Sequence, residues 1–284
     1  MHPSISFRLM TYDNFPGAIA LKNQAGWNQV EADWELFLKS SPAGCFVAEY
    51  ENTVIGTATS VNYSERFSWI SMVLVDPRFR GQGIARRLME LAIESVKTRG
   101  VVRLDASEMG RPLYEKMGFE VECQVVRMLR QPGPLAAHFS EGIMPVSEEI
   151  FATICEKDQP IFGAERRFVL DNFRHREEGN SFYKNSGEIL SGYCFSRQGT
   201  KAFHIGPLVA DDEETARQLL FALLEHHTGE TIILDTFVHN PDWLAVLADS
   251  GFAAVRNITR MSLGQGVSFG IPAKQFALAG LEFG

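Results

Sequence analysis

The chain has 284 residues, 45% of them hydrophobic and 22% charged. It is long enough for two ordinary cores and too balanced for a fibrous or disordered design. Its formal net charge of −8 argues against a nucleic-acid surface. No apolar run reaches the ~18 residues of a membrane span, and "MHPSISFRLMTYDNF" lacks a leader pattern, so no membrane partner and a cytoplasmic location are expected. Cys45, Cys123, Cys155 and Cys194 lie far apart in apolar surroundings, forming neither a metal motif nor a disulfide framework, and read as buried thiols.

In chain order, "NQVEADWELFLKS" spaces Val30, Trp34, Phe37 and Leu38 along one helical face. "CFVAEY" and "TVIGTATSVNY", joined by a short polar turn, predict a hairpin. "FSWISMVLV" adds a third strand, stopped by Asp76-Pro77, to complete an antiparallel meander. The period then changes: Ile84, Leu88, Leu91, Ala92 and Val96 make one apolar stripe, predicting a helix of about 16 residues ended by Gly100. "VVRLDA" predicts a buried strand, "RPLYEKM" a brief helix and "FEVECQVVRML" a closing strand.

The proline- and glycine-rich stretch around residues 132–146 reads as a linker between units 1–131 and 147–284. Beyond it the pattern repeats in order. "GEILSGYCFS" answers "NTVIGTATS", "AFHIGPLVA" answers "SWISMVLVD", "TARQLLFALLEHH" answers "IARRLMELAIESV", "TIILDTF" answers "VVRLDAS", and "DSGFAAVRNITRMSL" answers "KMGFEVECQVVRMLR". Ala85 to Asp105 spans 20 residues and Ala216 to Asp235 spans 19. Asp76 to Ala85, by contrast, spans 9 where Ala210 to Ala216 spans 6. The chain is an internal duplication whose copies differ at the mouth of one helix.

That mouth in the first copy is "RGQGIAR". The first backbone N–H groups of a helix lack intrahelical acceptors and carry the positive end of its dipole, so anions bind there. Gly81 and Gly83 let a diphosphate approach the main chain, and Arg80, Arg86 and Arg87 supply positive charge. The absence of GK[ST] excludes a P-loop, and antiparallel strands ahead of the helix exclude a dinucleotide fingerprint. Arg80-Gly81-Gln82-Gly83-Ile84-Ala85 resembles the Q/R-x-x-G-x-G/A motif of the GCN5-related N-acetyltransferase superfamily. The resemblance extends through "SMVLVDP" and "LDASEMGRPLYEKMGF", covering roughly residues 40 to 130. It implies an α/β (α+β) class of tandem folds, each a mixed, mostly antiparallel sheet flanked by helices.

The resemblance also implies acetyl coenzyme A as co-substrate, a small-molecule amine as acceptor, and no metal. It assigns the coenzyme to Val73, Leu74 and Val75 of the strand and to Arg80 through Arg86, with an oxyanion donor on the backbone near Leu74 and Val75. Tyr114 becomes the acid that protonates the leaving thiolate. No base is assigned: "FSWISMVLV" has no carboxylate, Glu31, Asp33 and Glu35 read equally as a solvated face, and Asp105 is repeated by Asp235. Trp27 and Asn28 are candidates for the acceptor pocket, as are Asp158 and Arg166, with Arg167, in "DQPIFGAERRFVL". His204, His226 and His227 have no ligand partners at metal spacing. The alternatives are transfer of a longer acyl group, a protein amine as acceptor, or a non-catalytic coenzyme-binding module. Nothing here speaks to oligomeric state.

In the second copy the mouth reads "ADDEETA": acidic residues suit the helix dipole and repel a diphosphate. Four residues before each glycine-phenylalanine pair stand Tyr114 and Leu247. The second half is therefore expected to keep the fold without the coenzyme site.

Overall fold

The computed structural model describes residues 5–96, 100–135, 142–176, 180–264 and 270–284. Positions 136–141 of the expected linker and 97–99 of the expected helix end lie outside them. The first half runs β1 (Ser6–Leu9), α1 (Phe15–Ala25), α2 (Glu31–Ser40), β2 (Phe46–Tyr50), β3 (Thr53–Tyr63), β4 (Phe67–Val75), α3 (Ile84–Val96), β5 (Val101–Ala106), α4 (Arg111–Lys116) and β6 (Glu120–Arg130). The second half repeats this as β7 (Ile143–Pro145), α5 (Glu148–Phe162), α6 (Arg167–Arg176), β8 (Ser181–Ser186), β9 (Ile189–Gln198), β10 (Phe203–Ala210), α7 (Glu213–His226), β11 (Ile232–Phe237), α8 (Pro241–Asp249) and β12 (Phe252–Leu263). A short β13 (Gln275–Ala277) follows.

Each expected element is present. Helix α1 is an addition, docked through Phe15, Ala18 and Leu21. The apolar stripe of α3 buries Ile84, Leu88, Ala92 and Val96, while Gly100 sits at φ +80°, a conformation glycine adopts without steric cost. Cys45 and Cys194 are buried, Cys123 and Cys155 are half-buried, and all four are free thiols. No helix among the described residues is long and apolar enough to cross a membrane.

All strands join one sheet in the order β1-β2-β3-β4-β5-β12-β6-β11-β10-β9-β8-β7, with β13 beside β10. The closing strands are exchanged: β6 lies against β11 of the second half, and β12 against β5 of the first. With an offset of 133 residues, from Gly118-Phe119 to Gly251-Phe252, Val125 corresponds to Ile258. These two residues face each other where β6 and β12 pair, so an approximate two-fold axis passes between them.

Buried charge follows the same symmetry. Arg127 of β6 donates twice to Asp235 of β11, at 2.8 and 2.8 Å, and its counterpart Arg260 of β12 donates twice to Asp105 of β5, at 2.9 and 2.9 Å. Each exchanged strand thus satisfies a buried carboxylate in the other half. Burial alone would raise the Asp235 carboxyl, but the charge and hydrogen bonds of Arg127 hold it well below the usual carboxylate range.

Candidate active site

Strand β4 is bent where the chemistry is expected. Its register with β3 shifts between Ser71 and Leu74, and Met72 lies at φ +51°. The Thr57 hydroxyl donates to the Met72 carbonyl at 2.7 Å and braces the bulge. Strands β4 and β5 pair in parallel only from Phe67↔Val101 to Trp69↔Arg103. Beyond that point they part, and a cavity of about 580 Å³ opens between them.

The cavity is lined by Val73, Leu74, Val75, Arg80, Ala85, Tyr114 and Trp27 among the residues singled out from the sequence. Alternation along β5 places Leu104 and Ala106 in the core beneath α3 and turns Asp105 to the opposite face. The gap therefore connects the α3 face to a second chamber. That chamber is walled by Trp27, Gln29, Asp105, Arg127, Arg256, Ile258, Leu281 and Glu282.

At the mouth, Gly81 and Gly83 adopt φ +78° and +80°, and a Cβ added to either would meet nothing within 4 Å. The backbone N–H groups of Gly81 through Arg86 donate to no described acceptor. Ile84 points into the core, and Arg86 and Arg87 share Glu90 at 3.1 and 3.4 Å. Glycine is needed here for backbone conformation, and the open, unsatisfied amides form a cradle suited to a diphosphate.

Tyr114 is 8% exposed, and burial pushes its phenol up to about 12. The phenol makes no hydrogen bond to any described residue, so a protonated hydroxyl faces the cavity.

Other expected residues have structural roles that keep them out of the cavity. The Asn28 amide donates to the Ala202 carbonyl at 2.9 Å and accepts from the Lys201 and Ala202 amides at 2.9 and 3.0 Å. It staples the first half to the β9–β10 turn. Asp158 and Arg166 are each 1% exposed and form a two-pronged pair, at 2.9 and 2.7 Å, that also takes the Tyr193 hydroxyl. Arg166 Nη1 reaches the Gly284 carbonyl at 3.3 Å, which fixes the end of the chain. Arg167 lies over the Phe151 ring. Asp33 is buried against Arg176, and Glu35 pairs with Lys39.

Sequence reasoning misses Gln29, Arg256 and Glu282. Glu282 accepts from Gln29 Nε2 at 3.0 Å and from Arg197 Nη2 at 2.9 Å, entering the chamber on a tail without periodic pattern. Arg256 follows a bulge in β12, between the pairs Ala254↔Met128 and Arg256↔Arg127. Comparing it with its counterpart Cys123 was the available signal.

The second half shows the same site closed. Asp212 Oδ1 accepts from the Thr215 amide at 2.7 Å, taking an N–H group at the mouth of α7. Strands β10 and β11 also part, after Phe203↔Ile232 and His204↔Ile233, but the gap is filled. Strand β13 pairs with β10, and the Leu278 amide donates to the Asp235 carbonyl of β11 at 2.8 Å. Lys274 anchors this tail to Asp211 at 2.9 Å. Leu247, in the place of Tyr114, shares a buried cluster with Phe276 of the tail.

Comparisons with known proteins match this geometry. The acetyltransferase (GNAT) family model matches residues 15–119, and an acetyltransferase (GNAT) domain model matches residues 154–269. The chain belongs to the GCN5-related N-acetyltransferase family, as a tandem protein with one such fold in each half. It is an acyltransferase. Holothin acyltransferase of Pseudoalteromonas sp. (strain SANK 73390) is 24% identical over 259 residues, 91% of this chain and 87% of that protein. A candidate acetyltransferase of Pyrococcus horikoshii superposes with a TM-score of 0.84 at 21% identity, covering 99% of this chain and 96% of that one. A tandem GNAT protein from the clavulanic acid biosynthesis pathway gives 0.63 at 14% identity, covering 93% and 100%.

Proposed function

We propose that the first half alone binds acetyl coenzyme A and transfers its acetyl group to the primary amine of a small metabolite. On this reading 1–131 and 147–284 are the duplicated units, joined through 132–146. The carrying observation is the contrast of the two gaps: one is open from cradle to chamber, and the other is filled by the chain's own tail. The residues present suit the coenzyme. The free amides of Gly81 through Arg86 and the Arg80 guanidinium would hold its diphosphate, while β4 from Val73 to Val75 presents backbone along the gap.

The bound coenzyme supplies an activated thioester. Backbone amides near Leu74 and Val75 stabilise negative charge on its carbonyl oxygen during attack. Tyr114, protonated at neutral pH, gives its proton to the departing sulfur. Trp27 and the Gln29–Glu282 pair border the acceptor's approach from the other face.

Calorimetry with coenzyme A tests the first step, with one site per chain expected. Free-thiol release across an amine panel and a series of acyl donors tests the second. Binding at both halves, or none, would end this reading, and preference for long acyl donors would replace acetyl by a longer group.

A further inference from the structure

The chamber beyond the gap contains a cation without a partner. Of the arginines around it, Arg127 is bonded to Asp235, Arg260 to Asp105 and Arg197 to Glu282. Arg256 is half-buried, lines the chamber and forms neither a hydrogen bond nor an ion pair with any described residue. It is registered opposite Arg127, so two guanidiniums lie side by side in a partly desolvated wall. Burial first, and then Arg127, weaken its hold on its proton, while Glu108 and Asp235 oppose this from beyond ion-pair distance. An anion between two such groups relieves their repulsion and takes charge-assisted hydrogen bonds.

The symmetry supplies an internal control. At the position of Arg256 the second half has Cys123, and there Leu278 of the tail packs with Val125, Phe237 and Cys123 in an apolar cluster. The closed copy thus has a small thiol where the open copy has an unsatisfied guanidinium. Arg256 also shares the Asp105 face of the sheet, opposite the α3 cradle, so the anion it awaits is not the coenzyme's diphosphate. Elsewhere in the chamber stand the Glu282 carboxylate and Gln29, whose Oε1 has no partner among the described residues.

We propose that the acceptor is an amine carrying its own anionic group, a carboxylate or a phosphate, docked by Arg256 while Glu282 and Gln29 take the ammonium end. This deepens the transferase reading and rests on it.

The test compares matched amines with the full-length protein: an amino acid against its amide, and phosphoethanolamine against ethanolamine. The wild type should favour an anionic member by about 10- to 100-fold in kcat/KM, with the favoured pair identifying carboxylate or phosphate. Arg256→Met should reduce the preference to within about threefold and leave the Kd for coenzyme A unchanged, and Arg256→Lys should restore part of it. Preference for neutral amines, or equal loss on all amines in Arg256→Met, overturns the inference and leaves the transferase reading standing. With no turnover, coenzyme-dependent binding of an anionic amine that Arg256→Met abolishes supports the site and rejects the transferase reading. Absence of such binding overturns the inference.

Discussion

The two halves share an element order, a bent third strand and a parting between parallel strands, yet only one of them keeps the parting open. In the first half the helix mouth has glycines at φ +78° and +80° and unclaimed amides; in the second, Asp212 claims an amide and β13 fills the gap. Tyr114 faces a cavity where Leu247 is fully buried. The fold supplies the opening, and a handful of residues decides whether a ligand or the chain itself occupies it.

The comparison breaks most severely if the tail is removed. A chain ending at Gly270 exposes the surroundings of Phe276, Leu278 and Phe283, at a cost of about 6 kcal/mol from side-chain burial alone. Calorimetric melting should fall by more than ~12 °C, and unchanged melting would mean that the tail does not hold the second half shut. Next come the crossed ion pairs. Asp235→Asn or Asp105→Asn leaves a buried arginine unmatched, at roughly 3–5 kcal/mol each in urea denaturation. Because the Asp235 carboxyl is held below its ordinary range, its contribution is present above about pH 4 and is lost as pH falls through the depressed value. Wild-type melting should show that acid limb, and the Asn variant should lack it.

Smaller effects sharpen the contrast at the mouth. Gly83→Val should weaken coenzyme A binding by ~200-fold, through positive-φ strain and a side chain in the cradle. Tyr114→Phe should lower kcat by ~100-fold with an unchanged coenzyme Kd. Since burial raises this phenol to about 12, the acid form persists through neutral pH and is lost only as pH rises through that value. Wild type and the Phe variant should therefore give rate profiles of the same shape between about pH 6 and 10. The smallest change is Asp212→Ala, costing about 1 kcal/mol of stability without creating a second coenzyme site. Two sites per chain would show that the tail is displaced.

Much of this was legible because local pattern determines local structure. The period change after Pro77, the glycine pair and the ordered repeats identify β4, α3 and the lost second mouth. The strand exchange was not legible: β6 and β12 carry the same pattern, and either partner satisfies it. Its trace was the recurrence of Asp105 as Asp235, together with Arg127 and Arg260 at the same offset. Asp158 and Arg166 looked available for a charged ligand, but their pairing depends on how α5 meets the start of α6, which spacing does not reveal. Glu282 reaches the chamber through a tail whose conformation comes from tertiary contacts, including Trp69 Nε1 donating to the Leu281 carbonyl at 3.0 Å.

The exchange of closing strands also sets a timetable for synthesis. By Arg130 the ribosome has made every element of the open half, yet β5 pairs only with β4 and β12, and β12 lies 133 residues behind β6. At roughly ten residues per second, that edge waits on the order of ten seconds for its neighbour. The nascent half must pass this interval with an unpaired strand border, open to a second nascent chain translated beside it.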